Sequence, residues 1–297
     1  MPQVRAFRNG LPWVLAVSAL IAASVCTFRG PFPAVWAAVQ QPGEVMLEVK
    51  SEFSRIKVTR ENTTRTLWFV RDNGEEVVES RVDLARLNDL LVEYTRYMFL
   101  SYVFRPNPEK VLIVGLGGGS MVHFLQQHDP KVKVDVVEID PTIVSIADRY
   151  FGVRTGRNVN INVTDGLDYL THADAKYDVI YMDAFLRPSG GTDKVGVPLH
   201  LKTLKFYGEV QKRLNPDGVV VFNLNPHLSV QEDIRTIKEA FANTYVFRLT
   251  GYDGFVVVAS TAENALSPKT ISAEAARIDG RLHAPFSFRK MAGRLVK

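Results

Sequence analysis

Residues Val111 to Asp140, VLIVGLGGGSMVHFLQQHDPKVKVDVVEID, constrain the fold more than any other stretch of the chain. An apolar strand runs into a glycine-rich turn, a helix follows, and a second strand ends on acids. Gly115, Gly117, Gly118 and Gly119 carry no Cβ, so the turn can be tight and a ligand can come close to the backbone. The helix after them aims its N-terminal N–H groups at the same space. Glu138 stands at the carboxyl end of the second strand, where an acid accepts hydrogen bonds from ribose hydroxyls. The unit reads as the nucleoside-binding half of a doubly wound α/β sheet.

The pattern continues along the chain. From Lys110 the strands VLIVG, VDVVEI, VNINV, YDVIYMD and VVVFNL alternate with helices expected near 119–127, 141–150, 200–213 and 229–242. Such alternation implies a parallel sheet covered on both faces. Tyr245 to Leu249 and Phe255 to Ser260 flank Thr250-Gly251-Tyr252-Asp253-Gly254, so the sheet is expected to end in an antiparallel hairpin. That ending is methyltransferase-like; nicotinamide-binding sheets usually end parallel. Upstream, EVMLEVKSEF, RIKVTRE and TRTLWFVRDNGEEVVES alternate as strands, with turn chemistry at Asn62-Thr63-Thr64 and Asp72-Asn73-Gly74. They form a small antiparallel β unit. Residues 83–103 carry a helical period, with Leu84, Leu87, Leu90, Leu91, Tyr94 and Met98 on one face. The expected organisation is a leader and linker over 1–43, the β unit and helix over 44–105, a Rossmann-like domain over 106–260, and an extension over 261–297 with at most a short helix.

Arg5 and Arg8 precede an apolar run from Leu11 to Phe28, and Arg29 and a proline-rich stretch follow. This is the form of a signal peptide or an uncleaved membrane anchor through residues 11–28. The flanking charges hold the N-terminus inside and send the remainder outward, so the expectation is an exported or anchored domain. A cytoplasmic domain on which the segment packs is the alternative. The net charge of +4 comes without a basic run, so no nucleic-acid partner is expected. Cys26 is the only cysteine, and the six histidines lack zinc spacing. There is no G-x-S-x-G elbow and no Walker lysine, so neither a metal nor a permanently bound cofactor is expected.

In an open α/β sheet the ligand lies beyond the carboxyl ends of the strands. Gly115 to Ser120, Glu138 and Asp140, Asp165 and Gly166, Asp183, and Asn223 and Asn225 all fall there. Apolar strands gain nothing from carboxylates at their tips, so four of them point to a ligand. Helix capping competes as an explanation, on equal terms at Asp140, which precedes Pro141, and less strongly at Asp165. Together these groups suit an adenosyl thioether or sulfonium. Glu138 would hold the ribose diol, Asp165 would accept from the adenine amino group, and the glycine backbone would pass beside the sulfur.

The motifs SEFSRI, EYTRYM, GLGGGS, VEID, TDGLDYL and DVIYMDAF occur in that order between about residues 45 and 225. In these the chain resembles the spermidine synthase (polyamine aminopropyltransferase) family. The resemblance implies a β domain followed by a class I methyltransferase-like fold, decarboxylated S-adenosylmethionine as co-substrate, an amine acceptor and a homodimer. By the same resemblance, Tyr94 matches the site tyrosine, Glu138 the ribose-binding acid, Asp165 and Gly166 the adenine-binding pair, and Asp183 the proton acceptor. Gly115, Gly117 and Gly118 belong to the donor loop.

The departures from that family are selective. Ser54 stands for a glutamine, Thr95 for a histidine or glutamine, and Gly118 and Leu186 each stand for an acid. The nucleoside-holding groups are kept, while those that hold an ammonium tail are lost, and Arg187 adds a like charge. Each lost charge-assisted contact is worth about 1.5–3 kcal/mol, so two weaken a polyamine by roughly two to four orders of magnitude. Two other readings therefore stand beside the aminopropyl transferase. One is an S-adenosylmethionine-dependent methyltransferase, because Gly118 removes a repulsion against the methionine carboxylate; His200 and Asn223 would then face the acceptor. The other is a non-catalytic, exported or anchored nucleoside-binding protein. A nicotinamide oxidoreductase ranks below all three.

Overall fold

The structure, a computed structural model, describes residues 43–296. The leader expected over residues 1–43, with its apolar run 11–28, lies outside the described residues apart from Gly43. Among the described residues no helix is long and apolar enough to cross a membrane.

The alternating N-terminal segment folds as expected into strands β1 (Glu44–Lys50), β2 (Arg55–Glu61), β3 (Thr64–Val70) and β4 (Glu76–Asp83), paired antiparallel in that order. Ile56, Val58, Leu67, Val70 and Val82 are its buried apolar side chains. Asn62 takes the left-handed conformation in the β2–β3 turn, with φ of 52°, and the Asn73 side chain accepts from Glu75 N at 2.9 Å in the β3–β4 turn. The β3–β4 ladder slips once. Leu67 opposes Ser80 and Trp68 opposes Val78, so Glu79 is the extra residue of a β-bulge.

The helical period over 83–103 is only partly realised. Helix α1 spans Glu93–Met98 and α2 spans Ser101–Phe104. Residues 84–92 form turns instead, because the Asp83 carboxylate accepts from Ala85 N at 3.0 Å and its carbonyl from Arg86 N at 2.9 Å. Local bonds to an aspartate compete with the helix and win there. Leu90 is still buried, but Leu87 is exposed.

The second sheet has seven strands: β5 (Lys110–Val114), β6 (Lys133–Glu138), β7 (Val159–Val163), β8 (Tyr177–Met182), β9 (Leu214–Leu224), β10 (Asn243–Arg248) and β11 (Phe255–Ser260). Their order is β10-β11-β9-β8-β5-β6-β7. Pairs among β5 to β9 are parallel, while β11 lies antiparallel between β9 and β10. This is the expected doubly wound sheet with a terminal hairpin. Helices α3 (Ser120–His128), α4 (Pro141–Phe151), α5 (Gly166–His172), α6 (Leu204–Lys212) and α7 (Val230–Ala240) connect the strands. Central β8 is buried at every position, as a strand covered on both faces must be. Strand order reverses between β5 and β8, which sets the ligand crevice at their carboxyl ends.

The C-terminal segment is more ordered than its polar composition suggests. Helix α8 spans Pro268–Leu282 and α9 spans Phe288–Ala292. Ser267 caps α8 by accepting from Thr270 N at 3.1 Å. Ile271, Ala275, Ile278 and Leu282 form its buried stripe and pack toward α2.

Candidate active site

The glycine turn leaves β5 at the switch point. Gly115 has φ of +99°, and a Cβ on it would stand 2.1 Å from the Asp183 carbonyl oxygen. Only glycine lets the ends of β5 and β8 come this close. Gly118 is crowded differently. A Cβ there would lie 2.9 Å from the Phe151 ring and from Ser80 Cβ, while its N–H donates to Ser80 Oγ at 2.9 Å. The space an acid at 118 would use is filled by α4 and by β4 of the N-terminal sheet.

These elements line an open cavity of about 930 Å³, counted with the solvent at its mouth. Every expected site residue except Gly118 lines it: Tyr94, Gly115, Gly117, Glu138, Asp165, Gly166 and Asp183. Gly118 sits behind the turn, against Ser80 and Phe151.

Glu138 is buried at the tip of β6. Its carboxylate accepts from Leu116 N and from Asp140 N, each at 2.9 Å. Burial pushes its carboxyl up to about 7, with those two N–H groups working in the opposite direction. A ribose diol donating to it would favour the ionised form further. Asp140 is the helix cap that Pro141 implies. It accepts from Thr142 N at 2.8 Å and from Ser51 Oγ, and so ties β1's end to α4. Asp165 also caps a helix, accepting from Leu167 N at 2.8 Å and Asp168 N at 3.1 Å through one oxygen. Its second oxygen lies 3.0 Å from Nε2 of His200, which is exposed in the single helical turn Leu199–Lys202 before α6. The cap fixes the carboxylate at the cavity wall, so capping and ligand binding do not exclude each other.

Asp183 is the most constrained acid. Its Oδ2 accepts from the Tyr94 hydroxyl at 3.0 Å and its Oδ1 from Asn223 Nδ2 at 2.9 Å. Three elements therefore converge on it: α1, the end of β8 and the end of β9. Burial pushes Asp183 up to about 6, against the two donated hydrogen bonds. The Tyr94 hydroxyl is raised well above its ordinary value, first by burial and then by the Asp183 charge. Tyr94 thus remains a neutral donor that orients the carboxylate.

A second cavity adjoins the first. The two share Phe69, Glu79, Tyr94, Phe185 and Leu186, and Asn223, Asn225 and Tyr252 line the second. Sequence alone does not point to Glu79. Strict alternation gives no reason for both Glu79 and Ser80 to face the cavity, but the bulge turns both that way. Burial, followed by the nearby Asp183 charge, raises Glu79 to about 8. Tyr252 carried a signal that was available. β10 runs parallel to β9, so the β10–β11 turn that holds Tyr252 falls at the ligand edge of the sheet. Glu93 fixes that turn by accepting from Thr250 N at 2.9 Å and Gly251 N at 2.7 Å.

The segment after β8 walls both cavities with Phe185 and Leu186. It folds on itself through Leu186 N to Gly196 O at 2.8 Å and Asp193 N to Val197 O at 2.9 Å. Asp193 pins it to the body. Lys202 Nζ lies 2.7 Å from Asp193 Oδ2 and 2.6 Å from Asp233 Oδ2, and His227 Nε2 lies 3.0 Å from Asp233 Oδ2. Asp193, His227 and Asp233 cluster closely enough to suggest a metal site, but the Lys202 ammonium already supplies the cation between the two carboxylates.

The chain is similar in sequence and in fold to known proteins. The spermine/spermidine synthase domain model matches residues 94–263. A polyamine aminopropyltransferase of Vibrio vulnificus is 29% identical over 272 residues, covering 90% of this chain and 86% of its own. A mouse eEF1A lysine and N-terminal methyltransferase is 33% identical over 180 residues, 54% of this chain, and the chain spans only 25% of that longer protein. In fold, the crystal structure of a spermidine synthase in complex with the transition-state analogue AdoDATO superposes with a TM-score of 0.63 at 17% identity, over 86% of this chain and 84% of that one.

Proposed function

This chain belongs to the spermine/spermidine synthase family of aminopropyltransferase-type enzymes, and from that premise we propose that it transfers an aminopropyl or related alkyl group from an adenosyl sulfonium to an amine. The observation that carries the reading is the placement of Asp183. It is held between Tyr94 and Asn223 in the same cavity as Glu138, Asp165 and the glycine turn. The donor's ribose would lie on Glu138 and its adenine beside Asp165 and Gly166, with the sulfonium carbon toward Asp183. The amine nitrogen forms its bond to that carbon as the carbon–sulfur bond breaks. The pair of electrons leaves with sulfur as a neutral thioether, and the proton released from nitrogen passes to Asp183. Positioning and the oriented carboxylate supply the rate, because the sulfonium is already a good leaving group.

A second reading, methyl transfer from S-adenosylmethionine, is favoured by the methyltransferase relative. An acid at position 118, which would hold the amino end of a decarboxylated donor, has no room against Phe151 and Ser80. Incubating the protein and a primary amine with each donor, and reading the acceptor by mass spectrometry, separates the two. Gain of an aminopropyl group from decarboxylated S-adenosylmethionine is the expected result. Methyl gain would select the second reading, and no gain from either donor would contradict transfer. Assembly as a homodimer, and an exported or anchored location through residues 11–28, belong to the same proposal and rest on the sequence alone.

A further inference from the structure

We propose that the second cavity is an acceptor site for an amine that carries a carboxylate at its far end, rather than for a polyamine. The inference rests on the transferase reading above and specifies its substrate. The cavity is polar in a directional way. Where it meets the nucleoside cavity it presents Glu79 and Tyr94, with Asp183 hydrogen-bonded to Tyr94 and Asn223 at the same junction. Arg71 and Arg187 line it too, but they do not line the nucleoside cavity. Both instead border an outer depression that also holds Lys50 and Arg55. The two guanidiniums therefore stand where the second cavity opens to that depression.

The charges at the two ends ask for different groups. At the inner end, no cation among the described residues forms an ion pair with Glu79 or Asp183. Burial raises both carboxyls, and Glu79 is raised further by the charge of Asp183, with the Arg71 charge lowering it to a lesser degree. An ammonium placed between them removes that penalty and favours both ionised forms. At the outer end a second ammonium meets Arg71, Arg187 and the further bases Lys50 and Arg55, with Glu48 and Asp72 as the acids of the depression. A carboxylate there meets planar guanidiniums that bind it bidentately. Arg71 is already 3.1 Å from Glu75 and Arg187 3.0 Å from Asp72, but those acids are 52% and 79% exposed. Pairs so exposed are weak and readily exchanged. Leu186 in the shared wall adds no charge that would offset a second ammonium.

The test uses two probes that differ only in the far group, 4-aminobutyrate and 1,4-diaminobutane. Each is titrated calorimetrically into protein saturated with methylthioadenosine. The expected result is that 4-aminobutyrate binds about tenfold or more tightly than the diamine. Arg187→Ala and Arg71→Ala should remove that preference while leaving methylthioadenosine affinity unchanged. Equal or tighter binding of the diamine, or no binding of 4-aminobutyrate to the nucleoside-loaded protein, overturns the acceptor assignment alone. Failure of methylthioadenosine itself to bind overturns the donor-site reading and the acceptor assignment with it.

Discussion

Replacing Asp183 with asparagine is expected to lower turnover by about 10²–10⁴-fold while leaving methylthioadenosine binding intact. The substitution keeps the shape of a side chain whose two oxygens accept from Tyr94 and Asn223. What it removes is the negative charge and the capacity to take a proton from the attacking nitrogen. The pH profile gives an independent signature. Burial holds Asp183 at about 6, and the group works only when ionised, so kcat/KM of the native protein should rise with pH through that value. The rising limb should be absent in Asp183→Asn. Stability should run the other way. Asp183, Glu138 and Glu79 all have raised folded-state values, so the folded protein binds more protons than the unfolded chain from about pH 4 to about pH 8. Stability therefore falls as pH rises through that window. Turnover by Asp183→Asn at the native rate, with the same pH limb, would remove Asp183 as the base.

Lys202→Met should cause the largest loss of stability. The Lys202 ammonium lies between Asp193 and Asp233, whose side chains are only 11% and 12% exposed. Burial pushes Asp193 up, but the Lys202 ammonium and the N–H groups of Val197 and Val195 outweigh it, so the carboxyl stays below its ordinary value. Without Lys202 two largely covered carboxylates face each other with only the His227 imidazole beside Asp233, and breaking a pair in this way costs up to about 3–5 kcal/mol. For a domain of this size that is a fall in Tm on the order of 10 °C. The loss should shrink on acidification, as the stranded carboxylates protonate. It should shrink as well when Asp193 and Asp233 are changed to asparagine together with Lys202→Met. Thermal unfolding of the three proteins checks this. A loss below about 1 kcal/mol, the value of an exposed ion pair, would contradict it. Because Asp193 anchors the segment that carries Leu186 over both cavities, turnover should fall along with stability.

The parts of the fold that depend on local pattern were legible in the sequence. The alternation of strands and helices from Lys110, the antiparallel N-terminal strands and the terminal hairpin all follow from periodicity and turn residues. The strand-tip acids were legible too, because topology alone sends carboxyl ends to the crevice. What could not be read depends on register or on competition between local bonds. Glu79 enters the cavity only because the ladder slips by one residue between Leu67 and Trp68. Residues 84–92 abandon a good helical period because Asp83 offers hydrogen bonds to Ala85 N and Arg86 N. Helix α8 hides in a polar segment because its stripe of Ile271, Ala275, Ile278 and Leu282 is narrow. Asp165 reads from sequence as a ligand group or a cap; in the structure it caps α5 and lines the cavity at once.

The most direct measurement is a calorimetric titration of methylthioadenosine into the native protein and into Glu138→Gln, with circular dichroism confirming that both are folded. Saturable binding to the native protein, weakened about tenfold or more in the variant, is the expected result. A folded native protein that takes up no methylthioadenosine, or a variant that binds it as tightly, would contradict the claim that these strand tips hold an adenosyl ligand.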